Sequence, residues 1–265
     1  MNFAGLSDIG LTRQNNEDVW IAEPDIGLFA LADGMGGHKA GEVAAKEAVD
    51  ELCNYLKQQK ERSEAHIRAA IEHANNQVYQ KGCGTEAFKG MGTTLCLLQC
   101  TADEIIYAHV GDSRIYRFRE QKLEQLTNDH SLLAQWLAQG NRPGNSDKPP
   151  PYKNIITRSV GTARKANPEI TTIPHSPGDL FILCSDGLSD VLSITDLEMI
   201  ITRSESLELM ASRLIEKAKI KGSSDNITVL IVQFDEKNLF RQQFDNSSRP
   251  HRATSDDGRT DRPSR

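Results

Sequence analysis

The chain has 265 residues, with 31 Lys plus Arg against 37 Asp plus Glu and a formal net charge of -6. That length supports one large domain or two small ones around a buried core, and the acidic balance argues against a general affinity for nucleic acid or anionic lipid. No apolar run approaches the ~18 to 20 residues of a membrane helix, and the opening MNFAGLSDIG lacks the layout of a secretory signal, so no membrane partner and a cytoplasmic location are expected.

In chain order, the first polar stretch, SDIGLTRQNNEDVW, carries Arg13, Glu17 and Asp18 into a strand predicted over Asp18–Glu23. A second strand, Gly27–Ala32, runs into Asp33 and the glycines of GLFALADGMGGH. Apolar residues at helical spacing then mark two adjacent amphipathic helices, one through Ala45, Ala48, Val49, Leu52 and Leu56, the other through Ile67, Ala70, Ile71, Ala74 and Val78. Strands follow at Thr93–Leu98, Glu104–Val110 and Arg114–Phe118, with Asp112 in the short link between the last two. A short helix is marked by Leu132, Leu133, Trp136 and Leu137, whose expected role is to cover a sheet. Residues Gly140–Asn154, with four Pro and two Gly, read as a surface loop or lid; the PPPY at Pro149–Tyr152 has the form of a short Pro-rich ligand. Strands at Ile170–Pro174 and Leu180–Cys184 come next, then a helix through Leu207, Met210, Ala211, Leu214, Ile215 and Ala218, and a last strand at Ile227–Phe234. Consecutive strands joined by short turns favour antiparallel pairing, so the class is α+β.

Texture changes after Phe240. Residues 241–265 contain six Arg and four Asp with only Phe244 and Ala253 as apolar side chains, and are expected to form a disordered polar tail behind a domain over 1–240. Setting the tail aside leaves 25 basic and 33 acidic residues, a body suited to cation binding. Five cysteines without a CxxC pair are read as free thiols of a reducing compartment.

The chemistry concentrates in aspartates at the ends of apolar strands: Asp33 in LADGMGG, Asp112 in HVGDSR, Asp186 in LCSDGL and Asp225 in SSDNITV. Each alone reads more readily as a turn or an Asx motif than as a ligand. Four at one edge of a core would repel one another and hold raised pKa values unless cations neutralised them. An all-oxygen donor set points to Mg²⁺ or Mn²⁺, and no His or Cys spacing of a zinc site is present. Two such ions sharing a carboxylate acidify water beside a phosphate, the chemistry of a hydrolase. Arg13 could grip phosphate oxygens through its planar fork or pair with Glu17 on the surface; Glu17 could hold a metal-bound water, and Asp18 could orient ligands from behind.

These segments, with GMGTTL, LTNDHS and ITRSVG between them, resemble the motifs of the PPM, or PP2C-like, metal-dependent protein Ser/Thr phosphatases, in the same order and over roughly Phe3–Phe234. The chain is most similar to the compact bacterial branch. The resemblance implies a four-layer α/β/β/α sandwich of two antiparallel sheets flanked by helix pairs. It implies two Mn²⁺ or Mg²⁺ ions, with Asp33 bridging, the Gly34 carbonyl on one ion, and Asp186 and Asp225 on the other. Asp112 matches the ligand of a third, weaker ion shared with Asp186, and Arg13 matches the phosphate-binding arginine. It further implies hydrolysis of phosphoserine and phosphothreonine on proteins by activated water with no phosphoenzyme, in a monomer that opposes a Ser/Thr kinase. Two departures stand out. Met35 occupies the place of the histidine proposed as general acid in animal members, leaving His38 as a neighbouring alternative, and the loop at 140–154 is Pro-rich where many relatives carry a helical, acidic stretch. A catalytically silent scaffold would be expected to lack some of these aspartates, and a nuclease would call for a basic groove.

Overall fold

The computed structural model describes residues 1–36, 40–141 and 155–234. The expectations for His38, for most of the Pro-rich loop including PPPY, and for the tail lie outside these residues. In chain order the elements are β1 (Asn2–Asp8), β2 (Asp18–Glu23), β3 (Leu28–Met35), α1 (Ala40–Lys57), α2 (Glu64–Gly84), β4 (Gly92–Thr93), β5 (Leu95–Cys100), β6 (Glu104–Val110), β7 (Arg114–Arg119) and β8 (Lys122–Gln125). They continue with α3 (Leu132–Ala138), β9 (Glu169–Pro174), β10 (Leu180–Cys184), α4 (Asp186–Ser189), α5 (Ile194–Arg203), α6 (Leu207–Ile220) and β11 (Ile227–Gln233).

The strands form two sheets in which every pairing is antiparallel, one ordered β1-β11-β10-β7-β8 and the other β2-β3-β5-β6-β9 with β4 beside β3. The solid apolar runs are explained by burial on both faces. In β5, Leu95 and Leu97 pack under α1 and α2, while Cys96, Leu98 and Cys100 turn into the space between the sheets. Strand β11 divides in the same way: Ile227, Val229 and Ile231 meet α5 and α6, and Leu230 and Val232 meet the other sheet. Period-2 alternation thus generates three apolar layers from two sheets, with Phe29, Leu31, Ile115, Phe181 and Leu183 filling the middle one. This is the α/β/β/α sandwich expected.

Several elements depart from the expectations. Strand β3 runs on through Asp33 to Met35, and the strand expected from Thr93 breaks at Thr94 into β4 and β5. Strands β1 and β8 and helices α4 and α5 were not anticipated. In β1 only Ala4 is buried, because the strand lies at a sheet edge, so its sequence lacks an apolar face. Helix α5 is announced by a capping box in which Ser193 and Asp196 satisfy each other's backbone N–H groups. Helix α3 covers no sheet: none of its residues is buried. All five cysteines are free, four of them buried and Cys83 exposed. Among the described residues no helix is long and apolar enough to cross a membrane.

Candidate metal centre

The strand-end aspartates gather at one edge of the sandwich, drawn from both sheets. Asp33, late in β3, stands opposite Asp18 at the start of β2. Burial raises the Asp33 carboxyl well above the usual carboxylate range, and repulsion from Asp18, Asp186, Asp225 and Asp112 raises it further. Asp186 opens α4, two residues beyond the end of β10; burial and then the charges of Asp112 and Asp225 push it up to about 7. Asp18 and Asp112 are each pushed up to about 6, chiefly by burial. Five aspartates that are distant in sequence therefore share one electrostatic environment.

Backbone and hydroxyl contacts hold them in place. The Asp33 N–H donates to Thr94 Oγ1 at 2.9 Å, and the Asp33 carbonyl accepts from the Thr94 N–H and Thr93 Oγ1, both at 2.8 Å. Thr94 Oγ1 also lies 2.7 Å from Ser113 Oγ, beside Asp112, so one threonine ties two acidic segments together. Ser185 Oγ donates to Asp18 Oδ2 at 2.8 Å and accepts the Thr228 N–H at 3.0 Å, joining β2 to β10 and β11. Asn226 fastens the loop that carries Arg13: its Oδ1 accepts the Glu17 N–H, and its Nδ2 donates to the carbonyls of Ile9 and Asn15. Gly34 is buried so tightly that a Cβ there would strike the backbone oxygens of Gly41 and Glu17, which restricts the position to glycine.

The donor set fits hard divalent cations on an observation independent of composition. Oδ1 of Asp18, Asp112 and Asp186 are each buried with no hydrogen-bond partner. Bare carboxylate oxygens crowded at this density are costly unless an opposing charge is supplied, and an oxygen-only cradle supplies the ligands that Mn²⁺ or Mg²⁺ prefers. Asp225 is partly offset already: Arg13 Nη2 donates to its Oδ2 at 2.7 Å, rather than pairing with Glu17. Glu17 sits over the start of α1, where a Cβ on Gly41 would meet its carboxylate, and burial raises its pKa. Arg13, Glu17, Asp33 and Asp225 are thus near neighbours, with Asp33 and Glu17 both acting on the Arg13 guanidinium. Met35 is half-buried and offers no proton.

Sequence reasoning passed over residues that the fold brings to this edge. Asp190, one turn after Asp186 with its N–H on the Asp186 carbonyl at 2.8 Å, acts on both Asp112 and Asp186. The repeated Asp in SDGLSD was its only signal. Thr94, Ser113, Ser185 and Asn226 gave none, since hydroxyl and amide side chains of this kind occur throughout the chain. Asp129, which raises Asp112, is itself held in a two-pronged grip by Arg114, with Nε to Oδ1 at 2.9 Å and Nη2 to Oδ2 at 2.7 Å.

Residues 10–220 match the family model for protein phosphatase 2C. Protein phosphatase PhpP of Streptococcus pneumoniae is 35% identical over 244 residues, covering 89% of this chain and 99% of that protein. Serine/threonine phosphatase stp of Listeria welshimeri is 35% identical over 249 residues, covering 91% and 98%. Among solved structures, the Mycobacterium tuberculosis serine/threonine phosphatase PstP/Ppp superposes with a TM-score of 0.81 at 32% identity, covering 89% of this chain and 99% of that one. A PstP catalytic domain in complex with two manganese ions superposes with a TM-score of 0.77 at 33% identity, covering 87% and 96%.

Proposed function

The chain belongs to the protein phosphatase 2C family as a metal-dependent protein serine/threonine phosphatase, and we propose that Asp33, Gly34, Asp186 and Asp225 hold its two Mn²⁺ or Mg²⁺ ions. The observation that carries this assignment is the convergence of strand ends from both sheets on Asp33, where four neighbouring carboxylates act at once. Asp112 and Asp186, with their unpartnered oxygens, are the proposed ligands of a third ion.

Two such ions, when bound, bring water toward hydroxide near neutral pH and screen the charge of a phosphoryl group. The protein's own groups do the rest. Asp33, fixed through its backbone by Thr93 and Thr94, presents its carboxylate between the Asp18 and Asp186 sides of the cleft. Asp18, anchored by Ser185, orients its neighbours from behind, and Glu17 can accept a hydrogen bond from water at the cleft mouth. Arg13 is half exposed at the same edge, placed to exchange Asp225 for two oxygens of a phosphate monoester. We read hydrolysis as direct attack by water on phosphorus, with the serine or threonine oxygen leaving and no phosphoenzyme. Burial supports this by keeping the thiols inside the sandwich out of the chemistry: Cys100 and Cys184 are pushed up to about 12, and Cys96 is raised as well, so none of these three forms a thiolate near neutral pH.

The reading extends to partners and place: phosphorylated proteins as substrates, a Ser/Thr kinase opposing the enzyme in signal transduction, a monomer in the cytoplasm with no nucleic-acid or membrane partner, and a phosphatase domain over 1–240. The test is hydrolysis of a phosphothreonine peptide with added Mn²⁺. Activity should disappear in EDTA and fall by at least about a thousandfold in Asp33→Asn. Full turnover in EDTA would overturn the mechanism.

A further inference from the structure

Outside the acidic edge, one cluster draws together elements that the mechanism leaves unused: His109 at the end of β6, Glu169 opposite it on β9, and His130 and Arg158 on either side of the Pro-rich loop. His130 grips Gly111 in both directions. Its N–H donates to the Gly111 carbonyl at 2.9 Å, and its ring Nδ1 accepts the Gly111 N–H at 3.1 Å. Gly111 has φ +108 and leads directly into Asp112. The His130 carbonyl accepts the Thr157 N–H at 2.7 Å, Leu132 N–H donates to the Ile155 carbonyl at 3.0 Å, and Ser131 forms a bridge with Ile156.

We infer that His130 is a positioning residue that latches the Gly111–Asp112 turn to residues 155–158 and so sets where the Asp112 carboxylate points. The inference rests on the proposed role of Asp112. It is specific about the two ring nitrogens. Because Nδ1 must accept from Gly111, the single ring proton belongs on Nε2, which lies 3.1 Å from Glu169 Oε1. Burial, and then the adjacent His109, push His130 down to about 4, so the ring stays neutral at physiological pH and its Nδ1 lone pair remains available. His109 stacks on it at 4.5 Å and is itself anchored by Nε2 to the Asn128 carbonyl at 2.8 Å.

His109, His130 and Glu169 lie within reach of a shared ion, but two features favour the latch. Arg158 Nη1 already places a positive charge 3.1 Å from Glu169 Oε1 and 3.3 Å from His130 Nε2. The two rings are also stacked 26° from parallel instead of converging edge-on, as ligation of one ion by both would require.

The test uses two isosteres. His130→Asn keeps an oxygen where Nδ1 stood, and His130→Gln keeps an amide where Nε2 stood. In the metal-free protein, hydrogen exchange of the Gly111 amide should accelerate about tenfold in the Gln variant and stay near wild type in the Asn variant. In Mn²⁺ titrations of phosphothreonine-peptide hydrolysis, the Gln variant should need about tenfold more Mn²⁺ for half-maximal rate, and the Asn variant should not. Equal Gly111 exchange in the two variants overturns the latch. If Asp112→Asn raises the Mn²⁺ requirement while His130→Gln does not, the link to Asp112 is overturned. If neither substitution raises it while exchange still separates the isosteres, the latch stands and the proposed role of Asp112 falls.

Discussion

Replacing Asp186 by asparagine should stabilise the metal-free protein while destroying its activity. The carboxyl is pushed up to about 7 in the fold from an ordinary value of 3.8, by burial and then by Asp112 and Asp225. A carboxyl raised in this way keeps its full stability only below the unfolded pKa, and loses it as pH climbs through the folded value. At about 1.36 kcal/mol per pKa unit, the raised pKa costs the fold about 4 kcal/mol at pH 8, where Asp186 is ionised, but only about 1.5 kcal/mol at pH 5, where the fold holds it neutral while the unfolded chain ionises. Asn is nearly the same shape and carries no charge, so Asp186→Asn should recover that cost. For a domain of this size the gain corresponds to a Tm rise on the order of 10 °C at pH 8 in EDTA, shrinking to less than half at pH 5. Saturating Mn²⁺ should raise the Tm of the wild type and leave the variant behind, because only the wild type retains the full ligand set. Differential scanning calorimetry at the two pH values, with and without Mn²⁺, reads all of this. A lower Tm for the variant at pH 8 in EDTA, or an equal gain at both pH values, would show that the Asp186 charge does not burden the metal-free fold.

Other expectations follow from single contacts. Asn226→Ala removes three hydrogen bonds that pin residues 9–17, and should cost about 2 to 4 kcal/mol in urea unfolding while raising KM for a phosphopeptide, through the loosened Arg13 loop. Arg13→Lys keeps the charge but loses the fork; steady-state kinetics should show KM rising about tenfold with a smaller change in kcat. A thiol reagent applied to the native protein should add one label, at Cys83, with activity retained, and mass spectrometry of the digest locates it. Labelling of Cys96 or Cys184 without unfolding would contradict the described packing.

How far the sequence could be read depended on whether a signal was local. Strands β5, β10 and β11 were legible because both of their faces are buried, which leaves uninterrupted apolar runs. Strand β1, at a sheet edge with one buried residue, and β8, with Leu123 alone buried, carry no such pattern. The acidic residues were visible because each breaks off an apolar segment abruptly. Their supports were not: Thr94 matters through Ser113, nineteen positions away, and Ser185 through Asp18, at a separation of 167. Arg13 illustrates the same limit, since Asp225, the partner it finds, is 212 positions distant and Glu17, the neighbour in sequence, does not pair with it.

The pairing of Asn2 with Gln233 along β1 and β11 sets a temporal order on the molecule. Arg13 is made before Asp225, 212 positions further on, and before Asn226, which holds its loop. A growing polypeptide therefore lacks the full set of acidic side chains until Asp225 has been added, and a product that stops short of β11 should be inert. The edge that carries the aspartates is complete only once β11 lies between β1 and β10.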